Sequence, residues 1–217
     1  MSLQNAYVRL NTKWASKLGS TYTQYRPTSG INPVSGQYQV AAISALFDAS
    51  ISLAFNAPSK FGNALFAAIV DPNLVQPLDI LVGDEGTFFI ASTEPLKPIF
   101  CVQCNRVGTF YRPTPLPASP GTSARPFYGG DITSARTVLL SGMPMSEQQG
   151  TKGERMAAEQ LPGDSRMQWS QLLLPAYPGV TLRQADRMTD DIGRNFVISA
   201  VELTDLGWRI TAEMTDP

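Results

Sequence analysis

The sequence predicts a mainly β protein: two small β-barrel-like units in tandem, preceded by an N-terminal amphipathic helix. Three observations predict it. Gly and Pro number seventeen each while charged residues are only 16% of the chain, and such frequent backbone punctuation suits short strands and turns. The apolar segments are short and are separated by Pro, Gly or Asp-Pro. One hairpin pattern with an acidic turn also occurs twice.

Residues 1–25 read as a helical arm. Leu3, Tyr7, Leu10, Trp14 and Leu18 recur at helical spacing, and Gly19-Ser20 stops the pattern, which predicts a helix over 3–18. Arg9, Lys13 and Lys17 are four apart and share another face. With Arg26 they are the sole charged side chains of residues 1–27, so this segment carries +4. The remainder has thirteen basic and eighteen acidic residues and carries −5. The apolar stripe has two destinations open to it: the chain's own core, or a neighbouring subunit or partner. Tyr7, Arg9, Leu10, Lys13, Trp14 and Lys17 are therefore the candidate interface residues.

The first β unit is expected over 26–112. Residues 26–37 form a loop by composition. Ile51–Phe55 and Leu65–Val70 are strand candidates. Leu78–Val82, the turn Gly83-Asp84-Glu85-Gly86 and Thr87–Ala91 predict a hairpin, and Pro98–Val107 a further strand. Residues 113–130 hold five Pro and three Gly, a density that no buried strand or helix survives, and predict a junction. The second barrel unit is expected over 131–217. It begins with a strand at Ala135–Leu140. A polar stretch follows over 143–168, with one short helical segment around Gly153–Gln160. Trp169–Pro175 is apolar again, and a hairpin and a closing strand at Gly207–Ala212 end the unit.

Leu78–Ser92 and Ala185–Ser199 align without a gap. Asp79 falls on Asp186, Asp84 on Asp191, Gly86 on Gly193, Phe89 on Phe196 and Ser92 on Ser199. The shared pattern is a strand, an acidic turn, a Gly able to take positive φ, and an apolar strand. Asp84, Gly86, Asp191 and Gly193 are read as structural turn residues. Asp84-Glu85 and Asp190-Asp191 are read as solvated turn charges, since neighbouring residues diverge in direction.

The absence of His excludes Ser-His-Asp and Cys-His nucleophile systems and imidazole metal sites. Two Cys make neither a disulfide scaffold nor a four-thiolate zinc site. Cys101-Val-Gln-Cys104 sits in a strand-like setting, away from the helix start that activates a redox thiol, and reads as a pair of inert thiols. No phosphate loop of the GxxxxGK[ST] type is present. No catalytic, cofactor or metal residue is expected, and no membrane span, because no apolar run approaches ~20 residues.

The stretches Leu173-Leu174-Pro175, Pro178-Gly179-Val180-Thr181-Leu182, Asp186, Thr189–Arg194 and Glu202–Arg209 resemble the last barrel of head–tail joining (neck) proteins of tailed bacteriophages. Tyr25-Arg26-Pro27 and Leu81–Ile90 resemble proteins of the same phage morphogenesis clusters. The resemblance implies a non-enzymatic virion protein assembled in the host bacterial cytoplasm. Its subunits would form a ring with copies of themselves, contact portal or tail proteins, and line the DNA passage without sequence-specific binding. A −5 body with a +4 arm suits a channel wall along which DNA slides. Alternatives are a tail-hub, nozzle or fibre-attachment component and, from other classes, a ligand-binding β-domain or a carboxylate-dependent hydrolase.

Overall fold

A computed structural model describes residues 2–48, 64–114, 136–150 and 168–215. The predicted strand at 51–55, the helical segment at 153–160 and most of the 113–130 stretch lie outside the described residues. The chain is mainly β, as the sequence predicts. Helix α1 (Leu3–Leu18) is followed by β1 (Ser20–Tyr25), β2 (Gln39–Asp48), β3 (Leu65–Ile69), β4 (Ile80–Gly83), β5 (Gly86–Ser92) and β6 (Ile99–Cys104). Then come β7 (Arg106–Arg112), β8 (Thr137–Gln149), β9 (Trp169–Leu174), β10 (Arg187–Asp190), β11 (Asn195–Thr204) and β12 (Gly207–Thr215).

The strands close two antiparallel barrels. The first runs β1-β2-β3-β6-β5-β4 and closes by pairing β4 with β1. Read in the same sense, the second runs β7-β8-β9-β12-β11-β10 and closes by pairing β10 with β7. Strand for strand, the two orders are the same. In each barrel the chain must cross one barrel end, from the third strand to the fourth. The crossing loop inserts an apolar residue into the core, Val75 in the first barrel and Leu182 in the second.

Each crossing loop is locked by the same ion pair. Arg26, just past β1, bonds both carboxylate oxygens of Asp79 at 2.8 Å and donates to the Leu74 carbonyl at 2.9 Å. Arg112, at the end of β7, bonds both oxygens of Asp186 at 2.8 Å and donates to the Thr181 carbonyl at 2.8 Å. Both aspartates are buried. Each also accepts the backbone N–H three residues before it, from Gln76 or Arg183. The residue before each aspartate, Leu78 or Ala185, has positive φ, a conformation costly for a non-glycine residue and held by the surrounding bonds. The arginines belong to a repeat at the sequence level, Tyr-Arg-Pro-Thr at 25–28 and again at 111–114. Bonding to the carboxylate raises the pKa of both guanidinium groups against the opposing effect of burial.

The predicted unit boundaries shift accordingly. Residues 20–25 form β1 of the first barrel and do not belong to the arm. Residues 106–112 form β7 of the second barrel, so the chain passes between barrels at Asn105. The 113–130 stretch joins β7 to β8 within one barrel. Pro and Gly density marks a long connection but carries no information about which strands it connects. The expected strand at 135–140 is observed as β8, which continues through the segment read as polar, because Met143 and Met145 fill the barrel interior.

The aligned repeat also needs one correction. The first hairpin turns through two residues between the paired Gly83 and Gly86. The second takes three residues, closed by Asp190 N–H to Arg194 O and Gly193 N–H to Asp190 O. The extra residue offsets everything after the turn, so Phe196, paired with Met188, is the counterpart of Phe88, paired with Leu81. Phe89 points out of its barrel instead.

That outward face is buried as well. Ile80, Phe89, Ala91 and Val102 form a cluster with Ala64 outside the first barrel's interior, and Leu173 of the second barrel packs against it. Strands β4, β5 and β6 are thus covered on both faces, which accounts for the unbroken apolar runs Ile80–Val82 and Phe88–Ala91. Asn105 fixes the passage between barrels by exchanging hydrogen bonds with Glu147 of β8, at 2.9 and 2.7 Å. The 28–34 loop adds a clasp: Asn32 N–H donates to Ser141 O at 2.7 Å and Ser141 N–H to Gly30 O at 3.0 Å.

The lock predicts an asymmetry. Arg26→Met strands a buried carboxylate and should cost about 3 kcal/mol or more. Asp79→Asn keeps the shape and leaves a half-exposed guanidinium that water can solvate, so its cost should be smaller. Urea unfolding of the two variants measures the difference, and equal losses would contradict this account.

Candidate functional site

Helix α1 spans the residues that its periodicity predicts. Ser2 caps it by accepting from Asn5 N–H at 3.3 Å, and Lys17 lies in the last turn, where a cation favours the dipole. The helix packs on β2 and β3, and of its apolar stripe Tyr7 alone is half-buried. Ala15 is buried, and Val8, Asn11 and Thr12 are half-buried. Small residues let the backbones approach closely. A Cβ on Gly19 would lie 2.5 Å from the Ala15 carbonyl oxygen and 2.9 Å from that of Ala45, so Gly19 serves close approach rather than an unusual φ. Tyr7 is half-buried, and its hydroxyl donates to Lys97 O at 2.7 Å.

The other four members of the stripe are exposed. Leu3, Leu10, Trp14 and Leu18 are 74, 55, 47 and 57% exposed, and Arg9, Lys13 and Lys17 are exposed beside them. Of the two destinations open to it, the chain's own core is not the one. The anchored helix thus presents four large apolar groups beside a row of cations.

The acidic turns divide into two kinds. Asp84 and Glu85 are exposed, and Glu85 accepts bonds from Ser20 and Tyr22 hydroxyls. Burial, then the nearby Glu85 charge, raises the Tyr22 pKa. Asp191 is exposed, with Arg106 Nη1 at 3.8 Å. Gly86 and Gly193 have φ of +132° and +85°, as turn residues that favour glycine should.

Asp190 corrects the expectation of a solvated charge. Its Oδ1 accepts from Ile192 and Arg194 N–H at 3.2 and 2.7 Å, and its Oδ2 accepts from Arg194 Nε at 2.7 Å. Arg194 also binds Glu147, which accepts from Ser170 Oγ at 3.0 Å. Burial lowers the Arg194 pKa, but these two carboxylates outweigh it and raise the net value. Both acids are committed to Arg194 and hold the rim of the second barrel. No cluster of three or more metal-binding side chains occurs among the described residues.

Cys101 is buried in the first barrel's interior, where its Sγ–H donates to Phe66 O at 3.3 Å. Cys104 packs in the outer cluster, on the opposite face of β6. Burial pushes both thiol pKa values well up, with Cys104 adding to the effect at Cys101. Their alternation along the strand keeps the CxxC from acting as one group.

No family profile, curated protein or solved structure matches the chain. No helix of the described residues is long and apolar enough to cross a membrane.

Two measurements check these assignments. Asp191→Asn should cost under about 1 kcal/mol, as exposed pairs do. Asp190→Asn should cost about 1–3 kcal/mol, because it leaves buried donors without a full acceptor; thermal melts of the two variants would separate them. Raised thiol pKa values deplete the thiolate that reacts, so iodoacetamide should modify neither cysteine at neutral pH until denaturant is added. Mass spectrometry counts the adducts, and rapid labelling of the native chain would show an open thiol.

Proposed function

We propose that this chain is a structural subunit of a tailed-bacteriophage particle, placed in a ring at the neck between portal and tail. The observation that carries the reading is the exposed apolar stripe of α1 beside Arg9, Lys13 and Lys17. A protein that works as a monomer has little use for four large exposed apolar groups on an anchored helix, whereas a ring subunit buries such a surface against its neighbour. The tandem barrels support the reading in a second way. Closure removes the sheet edges through which strands aggregate, so contact is left to chosen surface patches. The residue patterns that resemble phage joining proteins give the class of particle. Copies of the chain, portal and tail proteins are the proposed partners, and no cofactor enters the role.

The test is assembly. Deleting residues 2–18 stops short of Ser20, which opens β1, and should leave both barrels folded with nearly unchanged melting. It should abolish the rings that the full chain forms in negative-stain electron microscopy and its incorporation into particles. A full chain that stays monomeric at every concentration, alone and with portal protein, sinks the reading.

A further inference from the structure

The two barrels repeat one another, so the places where they differ are informative. One is α1, which precedes β1 and has no helical counterpart at β7, directly preceded by Asn105. The other is the β11–β12 hairpin. Strands β5 and β6 have seven and six residues, whereas β11 and β12 have ten and nine. Strand β10 pairs only with residues 195–197 of β11, and the β12 pairing with β9 stops at Trp208. Strand β11 thus runs on past β10, while β12 stays paired with β9 to within one residue of the turn, so that only the turn at 204–207 reaches beyond the pairing with β9. At the hairpin tip Leu203 is 60% exposed and Leu206 is 38% exposed, with Asp205 exposed beside them, while Glu202 is ion-paired with Arg209 across the hairpin. The tip is rigid, because Thr204 Oγ1 donates to Gly207 O at 2.8 Å and accepts from Leu206 N–H at 3.2 Å.

We propose that the β11–β12 tip of one copy docks on the α1 stripe of the next. Leu203 and Leu206 would cover Leu10, Trp14 and Leu18, and Asp205 would face Lys13 and Lys17. The occupant is a second copy of this chain because both halves of the match are present in it: an apolar and basic helix, and an apolar tip that carries the carboxylate of Asp205. Both are held in shape before contact, which lowers the ordering cost of association. Helix and tip are different surfaces, so the contact is heterologous and repeats from copy to copy, closing a ring where the rotation allows. This inference rests on the proposed ring function and names the contact that would build it.

The test uses the full chain. Trp14→Ser and the double variant Leu203→Ser/Leu206→Ser should each weaken self-association in sedimentation by about tenfold or more, as loss of a central apolar anchor does. Lys13→Glu and Asp205→Lys should each weaken it, and the two together should restore part of the loss. Chains carrying Trp14→Cys, mixed with chains carrying Leu203→Cys, should cross-link to mixed dimers under oxidation, and a Cys104→Ser background removes the native thiol that is not fully buried.

Rings that form with unchanged affinity in all the variants, and no mixed dimer, would overturn the contact and leave the ring reading standing. A monomer at all concentrations overturns both. A monomer that binds phosphatidylserine vesicles through Trp14 overturns both in favour of a membrane-surface helix.

Discussion

A buried carboxylate held by a forked arginine organises this molecule twice over. Each barrel has to carry the chain across one open end, and a loop in that position would normally expose backbone and be free to drift. Asp79 and Asp186 stop it. Each accepts both arms of an arginine from the end of the first strand and a backbone N–H of its own loop. The same Nη2 group of the arginine also donates to a loop carbonyl. Strand, loop and barrel closure are joined at one point, and Val75 or Leu182 is seated in the core as a result. Bidentate geometry suits the task because it fixes orientation as well as distance. In the first barrel Gln24 adds a further donor, at 2.7 Å from Asp79; in the second, Phe110 stands in its place and the carboxylate depends more fully on Arg112.

The lock explains why the barrels can be alike in topology with so few residues in common. Interiors need only apolar groups of suitable volume, so Val75, Leu81 and Phe88 can be replaced by Leu182, Met188 and Phe196. The polar lock tolerates no such exchange, and Tyr-Arg-Pro-Thr and the loop aspartate persist in both copies.

Much of this was legible in the sequence, for definite reasons. Periodicity placed α1 at 3–18 because the exposed stripe and the basic row are both on one helix and Gly19 ends it. The hairpins were legible from Gly86 and Gly193, and the inert CxxC from strand alternation. The passage at Asn105 was not, because an ordinary polar residue between two strands gives no compositional break, whereas the Pro-rich stretch gives a strong one at a place without topological meaning. Asp190 was misread because adjacent acids in a turn look alike. Only the position of Arg194, four residues on, marks the one that folds inward. Of the candidate surface, the sequence supplied the residues of α1 but not their direction. It also gave no sign of the β11–β12 tip, where β11 runs on past the short β10.

The direct passage from β6 to β7 has a mechanical consequence. With one residue between the barrels, Asn105 bonded to β8 on both sides of its amide, and the wall of β4, β5 and β6 shared as packing surface, no hinge remains between them. Turning one barrel against the other would have to break the Asn105–Glu147 bonds and open the packing of Leu173 on the outer cluster.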